Sequence, residues 1–313
     1  MKSIDLIYLF VLAALWGASY LFMRMAGPVL GSIVTMTLRV CIAAAALWLY
    51  VYLARKQPDW RRHWKQFLIL GALNNAIPFV LITNAVIDLN ASVAAILNAT
   101  TPLFTAVVAA VWMQEAFGVR KGVGVLLGIA GVSILMGWSP LPLNQRVLLA
   151  ALQAIIAAIS YGFAAVYART RFRGVAPLHT AVGQLSGSSL LLIPLGVASA
   201  PAQWPGWHVG LAVLGLALLS TALAYLIYFR LIISAGATQA ATVTFLIPFF
   251  SVLWGRVFLN EPLSVGMFMG LGVILVSVWL VLGIHPPPRS SPSATRPAAH
   301  PASPPPCKPR HRR

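Results

Sequence analysis

Long apolar runs alternate with short polar segments from Leu6 to Ile284. A helix that crosses a bilayer needs about 20 predominantly apolar residues. Ten runs meet that length: Leu6–Met23, Val29–Leu53, Phe67–Ala85, Ala91–Met113, Gly122–Trp138, Val147–Ala168, Ala181–Ser199, Val209–Ile232, Ala240–Leu259 and Leu263–Ile284. The runs are continuous, whereas a transmembrane strand would alternate over about 10 residues. The pattern therefore predicts an all-α membrane protein. Lys2 and the apolar stretch after it have the start of a signal peptide. That stretch is longer than a typical h-region and no small-x-small site closes it, so the first run is expected to remain as a helix.

Composition narrows the class. Of 313 residues, 59% are hydrophobic and 9% charged, against about 25% charged in soluble domains. The 56 residues Gly174–Phe229 contain no Asp, Glu, Lys or Arg. A soluble core stops growing at about 250–300 residues and still needs a polar skin, which excludes a soluble enzyme. Cys41 lies in an apolar run and Cys307 in a Pro-rich stretch, so neither a disulfide framework nor a metal site is indicated and no cofactor is expected.

The formal net charge is +17. The basic residues sit between apolar runs, which marks loops at a membrane surface. The partners expected are a small-molecule substrate and membrane lipid, with no nucleic acid. With the N-terminus inside, 17 of the 22 Lys and Arg fall in cytoplasmic segments, and the outer loops hold only Arg24, Arg146 and Arg256. That alternation follows the positive-inside rule and puts both termini in the cytoplasm. A sequence rich in Arg, Ala and Pro points to a GC-rich bacterium, hence an inner membrane. In Pro286–Arg313, 10 of 28 residues are Pro; that composition cannot form a packed core and predicts a disordered cytoplasmic tail.

The two halves of the chain resemble each other. Ala91–Glu115 aligns with Ala237–Glu261 without a gap at an offset of 146. Pro102 falls on Pro248, Phe104 on Phe250 and Glu115 on Glu261. At an offset of 145, Gly17 and Arg24 match Gly162 and Arg169; at 146, Asn75 meets Thr221 and Phe79 meets Tyr225. Five spans per half is an odd number, so the second half would enter the membrane in the opposite sense. The expectation is two inverted five-helix repeats, over residues 1–138 and 147–284, followed by the tail at 286–313. Inverted repeats mark many secondary transporters, whose sites lie near the midplane at the repeat interface. Alternating access by rocking of one five-helix half against the other is the expected mechanism.

Trp16–Tyr20 (WGASY), Arg39 in the second run and the paired Pro-to-Glu segments resemble the drug/metabolite transporter superfamily, in its EamA type. The resemblance covers about Leu6–Ile284. It implies ten helices in two inverted halves, cytoplasmic termini, a central substrate cavity and, commonly, export of amino acids or related metabolites.

Candidate site residues follow from polar groups at depth. A mid-helix proline removes one backbone hydrogen bond and displaces the carbonyl four residues earlier. For Pro102 and Pro248 those carbonyls belong to Asn98 and Thr244, an aligned pair. Each half would present a kink, a freed carbonyl and a polar side chain, either as hinge and substrate contact or as a packing kink satisfied by neighbours. The third and eighth runs supply Asn74, Asn75, Ser220, Thr221 and Tyr225; the first and sixth supply Trp16, Ser19 and Tyr161. Polar groups within the bilayer usually face the bundle interior, where they either line a cavity or bond helix to helix. The candidate substrate contacts are Trp16, Ser19, Asn75, Asn98, Tyr161, Thr221, Tyr225 and Thr244, with Pro102 and Pro248 as hinges. Trp138, Trp204 and Trp207 read instead as interface anchors.

Arg39 is the one clear ionisable residue deep in a run, and inserting it costs about 2.5–3.5 kcal/mol. It is expected to be a structural charge bonded to helix carbonyls, with an anionic ligand as the alternative. Glu115 and Glu261, at helix ends in opposite leaflets, are expected to be a repeated structural cap. No Asp or Glu lies near the middle of a run and every histidine falls in a loop or tail, which argues against proton-driven antiport. Small multidrug transporters, a related branch, use a glutamate in their first helix that this chain lacks. The alternative function is an intramembrane enzyme acting on lipid or peptide. It would need a nucleophile beside a base, or a metal cluster, and Gly187-Ser188 has no histidine in any run to serve it.

Overall fold

A computed structural model describes residues 3–55, 60–138, 141–142, 144–203 and 205–282. The expected tail Pro286–Arg313 and the expected anchor Trp204 lie outside the described residues. Within them every regular element is a helix. Lipid offers no hydrogen-bond partner, so a spanning chain must satisfy its own backbone, and the helix does so within one segment.

Ten helical spans are long and apolar enough to cross a membrane. Spans 1 to 5 are Ser3–Leu30, Ser32–Leu53, His63–Asp88, Ala91–Met113 and Val119–Gly137. Spans 6 to 10 are Gln145–Arg171, Pro177–Ala198, Trp207–Ala235, Gln239–Leu259 and Val265–Leu282. Their outward faces carry apolar side chains such as Leu49, Leu126, Val197 and Phe249, all exposed and suited to lipid. Most boundaries lie within four residues of the sequence pattern, and one differs by more. Span 1 continues through Pro28 to Leu30, and the chain turns at Gly31 with φ +76°. Glycine enters that left-handed region at no steric cost, so it makes the turn that the gap before Val29 suggested.

The two halves interleave. Span 1 packs along spans 8 and 9, while span 6 packs along spans 3 and 4; span 7 joins spans 2 and 3, and span 5 pairs with span 10. The five-helix halves therefore interleave and do not lie side by side as separate bodies. The closely packed groups mix the halves: spans 1, 8 and 9 on one side, spans 6, 3 and 4 on the other.

In two pairs of repeat-mates the spans run antiparallel. In spans 5 and 10, Ser277 Oγ donates to the Gly124 carbonyl at 2.6 Å, while further along Gly270 lies against Leu135. In spans 4 and 9, Glu261 just beyond the end of one meets Ala91 at the start of the other. Two crossings also match between halves. A methyl added at Gly17 would sit 2.8 Å from Phe250 Cβ; one added at Gly162 would sit 3.0 Å from the Thr105 backbone nitrogen. Small residues let helices approach this closely in membranes.

The crossing makes a measurable contrast. Gly17→Ala should destabilise the protein by about 1–3 kcal/mol through overpacking. Gly122→Ala meets no neighbour within 4 Å and should gain up to about 1 kcal/mol from helix propensity. Thermal unfolding of the purified protein in detergent reads both; equal melting temperatures would argue against the close crossing.

Candidate functional site: a cavity shared by the two halves

Spans 1, 2, 3, 4, 6, 8 and 9 enclose a cavity of about 350 Å³. That is roughly a dozen water volumes at ~30 Å³ each, at the small end of the ~300–1,000 Å³ typical of ligand pockets. Trp16 and Ser19 line it from span 1, Asn98 and Pro102 from span 4, and Tyr161 from span 6. Span 8 adds Thr221 and Tyr225, and span 9 adds Thr244 and Pro248. Asn75 is not in the wall. It is fully buried behind it, with its side-chain oxygen 3.5 Å from the Tyr225 hydroxyl.

The prolines act differently from the simple kink. Span 4 breaks into Ala91–Asn98 and Thr101–Met113, and Pro102 lies in the first turn of the second piece. The Thr101 hydroxyl donates to the Asn98 carbonyl at 2.7 Å. The expected free carbonyl is thus taken within its own span, which leaves the Asn98 side chain to face the cavity. In span 9 the break comes earlier, at Thr242, and Pro248 lies inside the helix Val243–Leu259. The mates bend at different depths.

Spans 3 and 8 each contain a π-helical segment, Ala72–Ala76 and Gly215–Leu223. Such segments are frequent at functional sites. Side chains meet carbonyls in both: Ser160 Oγ donates to Leu73 O at 2.7 Å, and Thr221 Oγ1 to Leu216 O at 2.8 Å.

Arg39 reaches the cavity from span 2 and is 4% exposed. Its Nε donates to Thr221 Oγ1 at 2.9 Å, and its guanidinium carbon lies 3.7 Å from the Phe79 ring centroid. At its far end Nη1 meets only the sulfurs of Met23 and Met36, at 4.0 Å. Among the described residues no helix carbonyl accepts from it. Among the described residues no Asp or Glu lines the cavity.

Sequence reasoning missed several residues. Tyr20, Phe79 and Tyr228 line the cavity. Gln184, on span 7, accepts from Asn74 Nδ2 at 2.9 Å and donates to the Tyr225 hydroxyl at 3.2 Å. Tyr20 closes the WGASY motif, and Gln184 lies 145 residues after Arg39, so both carried a signal. The π segments carried none.

The two ends of the cavity differ. Beside span 4, the buried Glu261 carboxylate accepts from Ala91 N at 2.7 Å, Ser92 N at 3.1 Å and Ser92 Oγ at 2.5 Å. Residues 91–97 are all buried. In the mate segment of span 9, Gln239 and Ala241 are exposed. Glu115 makes no such cap; it pairs with the exposed Arg169. The repeated cap is present in one half only.

Ten apolar spans, seven of them around a small, largely apolar chamber with a few inward polar groups, suit a membrane transporter. The chain belongs to the EamA-like transporter family, which matches residues 4–137 and again residues 148–283. It is an integral membrane protein and a transporter rather than an enzyme. It is 22% identical over 270 residues to the uncharacterized transporter YoaV of Bacillus subtilis (strain 168), spanning 85% of this chain and 92% of that one. It is 26% identical over 279 residues to the uncharacterized inner membrane transporter YedA of Escherichia coli (strain K12), spanning 87% and 89%. A solved crystal structure matches with a TM-score of 0.62 at 19% identity, covering 90% of this chain and 96% of that chain; that likeness concerns the fold.

The unequal glutamates can be weighed. Glu261→Ala removes charge-assisted bonds at a buried helix start and should cost about 1.5–3 kcal/mol. Glu115→Ala breaks a surface pair whose side chains are 32% and 57% exposed, worth less than about 1 kcal/mol. Chemical or thermal unfolding of the two variants should rank them in that order.

Proposed function

We propose that this protein exports small metabolites such as amino acids from the cytoplasm, by alternating access around the central cavity. The observation that carries the reading is one chamber built by repeat-mates from both halves, packed at the Glu261 end and bearing the exposed Gln239 and Ala241, with Ala240 buried between them, at the other end. In an inverted repeat, exchanging the roles of the halves exchanges the open end. Spans 1, 8 and 9 would then tilt against spans 6, 3 and 4, and the breaks in spans 4 and 9 would bend with them. The concentration of 17 basic residues in alternate segments supports placing both termini, and the exposed end, in the cytoplasm. The substrate contacts are Trp16, Ser19, Asn98, Tyr161, Thr221, Tyr225 and Thr244, with Asn75 supporting Tyr225 from behind. Flux is not tied to protons, since among the described residues no carboxylate or histidine lines the chamber.

Proteoliposomes loaded with a mixture of amino acids and related metabolites test the reading. Release of at least one component above the protein-free rate is expected, and no release of any component would refute it. A pH gradient alone, with voltage clamped, should drive no uphill accumulation; robust accumulation would refute the uncoupled mechanism. Orientation has its own check: a reporter active only in the cytoplasm, fused after Ile284, should be active.

A further inference from the structure

We propose that Arg39 is an anion anchor, and that the cargo is a carboxylate carried on an apolar body. This rests on the transporter reading above and names the chemistry that the chamber selects.

The first ground is an unanswered charge. Arg39 is always protonated and presents five donors in a fixed fork. One donor meets Thr221, the guanidinium carbon lies 3.7 Å from the Phe79 ring centroid, and at the far end the contacts are sulfurs at 4.0 Å, so no anion is among its described partners. Among the described residues no acidic side chain lines the cavity. A buried cation left so is costly unless something pairs with it.

The second ground is the repeat itself. Gln184 occupies the matching position on span 7, 145 residues after Arg39. Arg39 reaches from span 2 to Thr221 in the π-helical segment of span 8. Gln184 reaches from span 7 to Asn74 in the π-helical segment of span 3. A comparable bridge is thus made once by a neutral amide and once by a cation, on neighbouring rather than aligned residues, since Thr221 aligns with Asn75. A polar side chain meets the structural need, so the charge on Arg39 serves something else.

The third ground is unfilled hydrogen bonding. Ser19 Oγ and Ser220 Oγ line the cavity, are 5% and 0% exposed, and meet no partner. Hydroxyls can donate to a carboxylate, as the guanidinium fork can. The remaining wall is largely aromatic and aliphatic, including Trp16, Tyr20 and Tyr228, which suits an apolar body. A cation with no fixed anion beside it repels an amine that lacks a carboxylate.

The test is equilibrium binding to the purified full-length protein in detergent, read as ligand-induced thermal stabilisation at constant ionic strength. The probes are phenylacetate, its methyl ester and phenethylamine. Phenylacetate should stabilise the wild type at concentrations at least tenfold below those the ester or the amine require. Arg39→Gln, which installs the residue of the matching position, should weaken phenylacetate about ten- to hundredfold while the ester is unchanged. An ester or amine that binds as tightly as the acid overturns the proposal. So does an acid that fails to bind, or one that binds Arg39→Gln unchanged. If that variant does not fold, the acid-to-ester ratio of the wild type decides alone. Acid binding without flux in proteoliposomes would leave the anchor and remove the transport reading; flux of amines or neutral solutes without acid binding would do the reverse.

Discussion

The chamber depends on two close helix crossings. At Gly17 span 1 comes so near Phe250 and Ser251 that a methyl group would collide, and at Gly162 span 6 meets Phe104 and Thr105 in the same way. Without side chains at these points, the backbones of spans 1 and 9, and of spans 6 and 4, lie almost in contact. Trp16 and Ser19 then stand beside Thr244 and Pro248, and Tyr161 beside Asn98 and Pro102, around one space. Bulk at either glycine would push these walls apart. Association of helices in lipid rests on such packing, since burying apolar surface gains little there.

Duplication explains the frame, and departures from it mark the particular protein. The glycines, the π-helical segments and the polar groups at residues 75 and 221 are shared between halves. Three features are not. Arg39 stands where the other half has Gln184, Glu261 caps a helix start where Glu115 forms a surface ion pair, and span 4 breaks at a different depth from span 9. A fold requirement repeats with the duplication. A difference between mates belongs to the state the protein occupies or to the molecule it handles.

Much of this was legible in the chain. The ten runs, the offset of the repeat and the family resemblance all rest on strong local patterns, because lipid imposes a minimum apolar length and a duplicated gene keeps its spacing. Of the eight candidate contacts, seven stand in the cavity wall, and Asn75 stands behind it. The fate of the Asn98 carbonyl was not legible, since the Thr101 hydroxyl that takes it could equally have turned elsewhere. The surroundings of Arg39 were also hidden, because spans 1, 3 and 8 contribute to them as well as its own span. The interleaving of the halves was not legible, because it rests on contacts between spans far apart in sequence.

The π-helical segment Gly215–Leu223 has a geometric effect beyond the bonds it frees. In an α-helix each residue turns by about 100°, so an extra residue in one turn rotates everything after it by that phase. Span 8 is therefore two half-helices aimed independently, the second carrying Tyr225 and Tyr228 towards the chamber. Such a dislocation is insensitive to most substitutions, which alter a side chain but not the count of residues in a turn. Loss of a single residue within the segment would restore the regular phase and re-aim both tyrosines. For this span, length is a stricter constraint than composition.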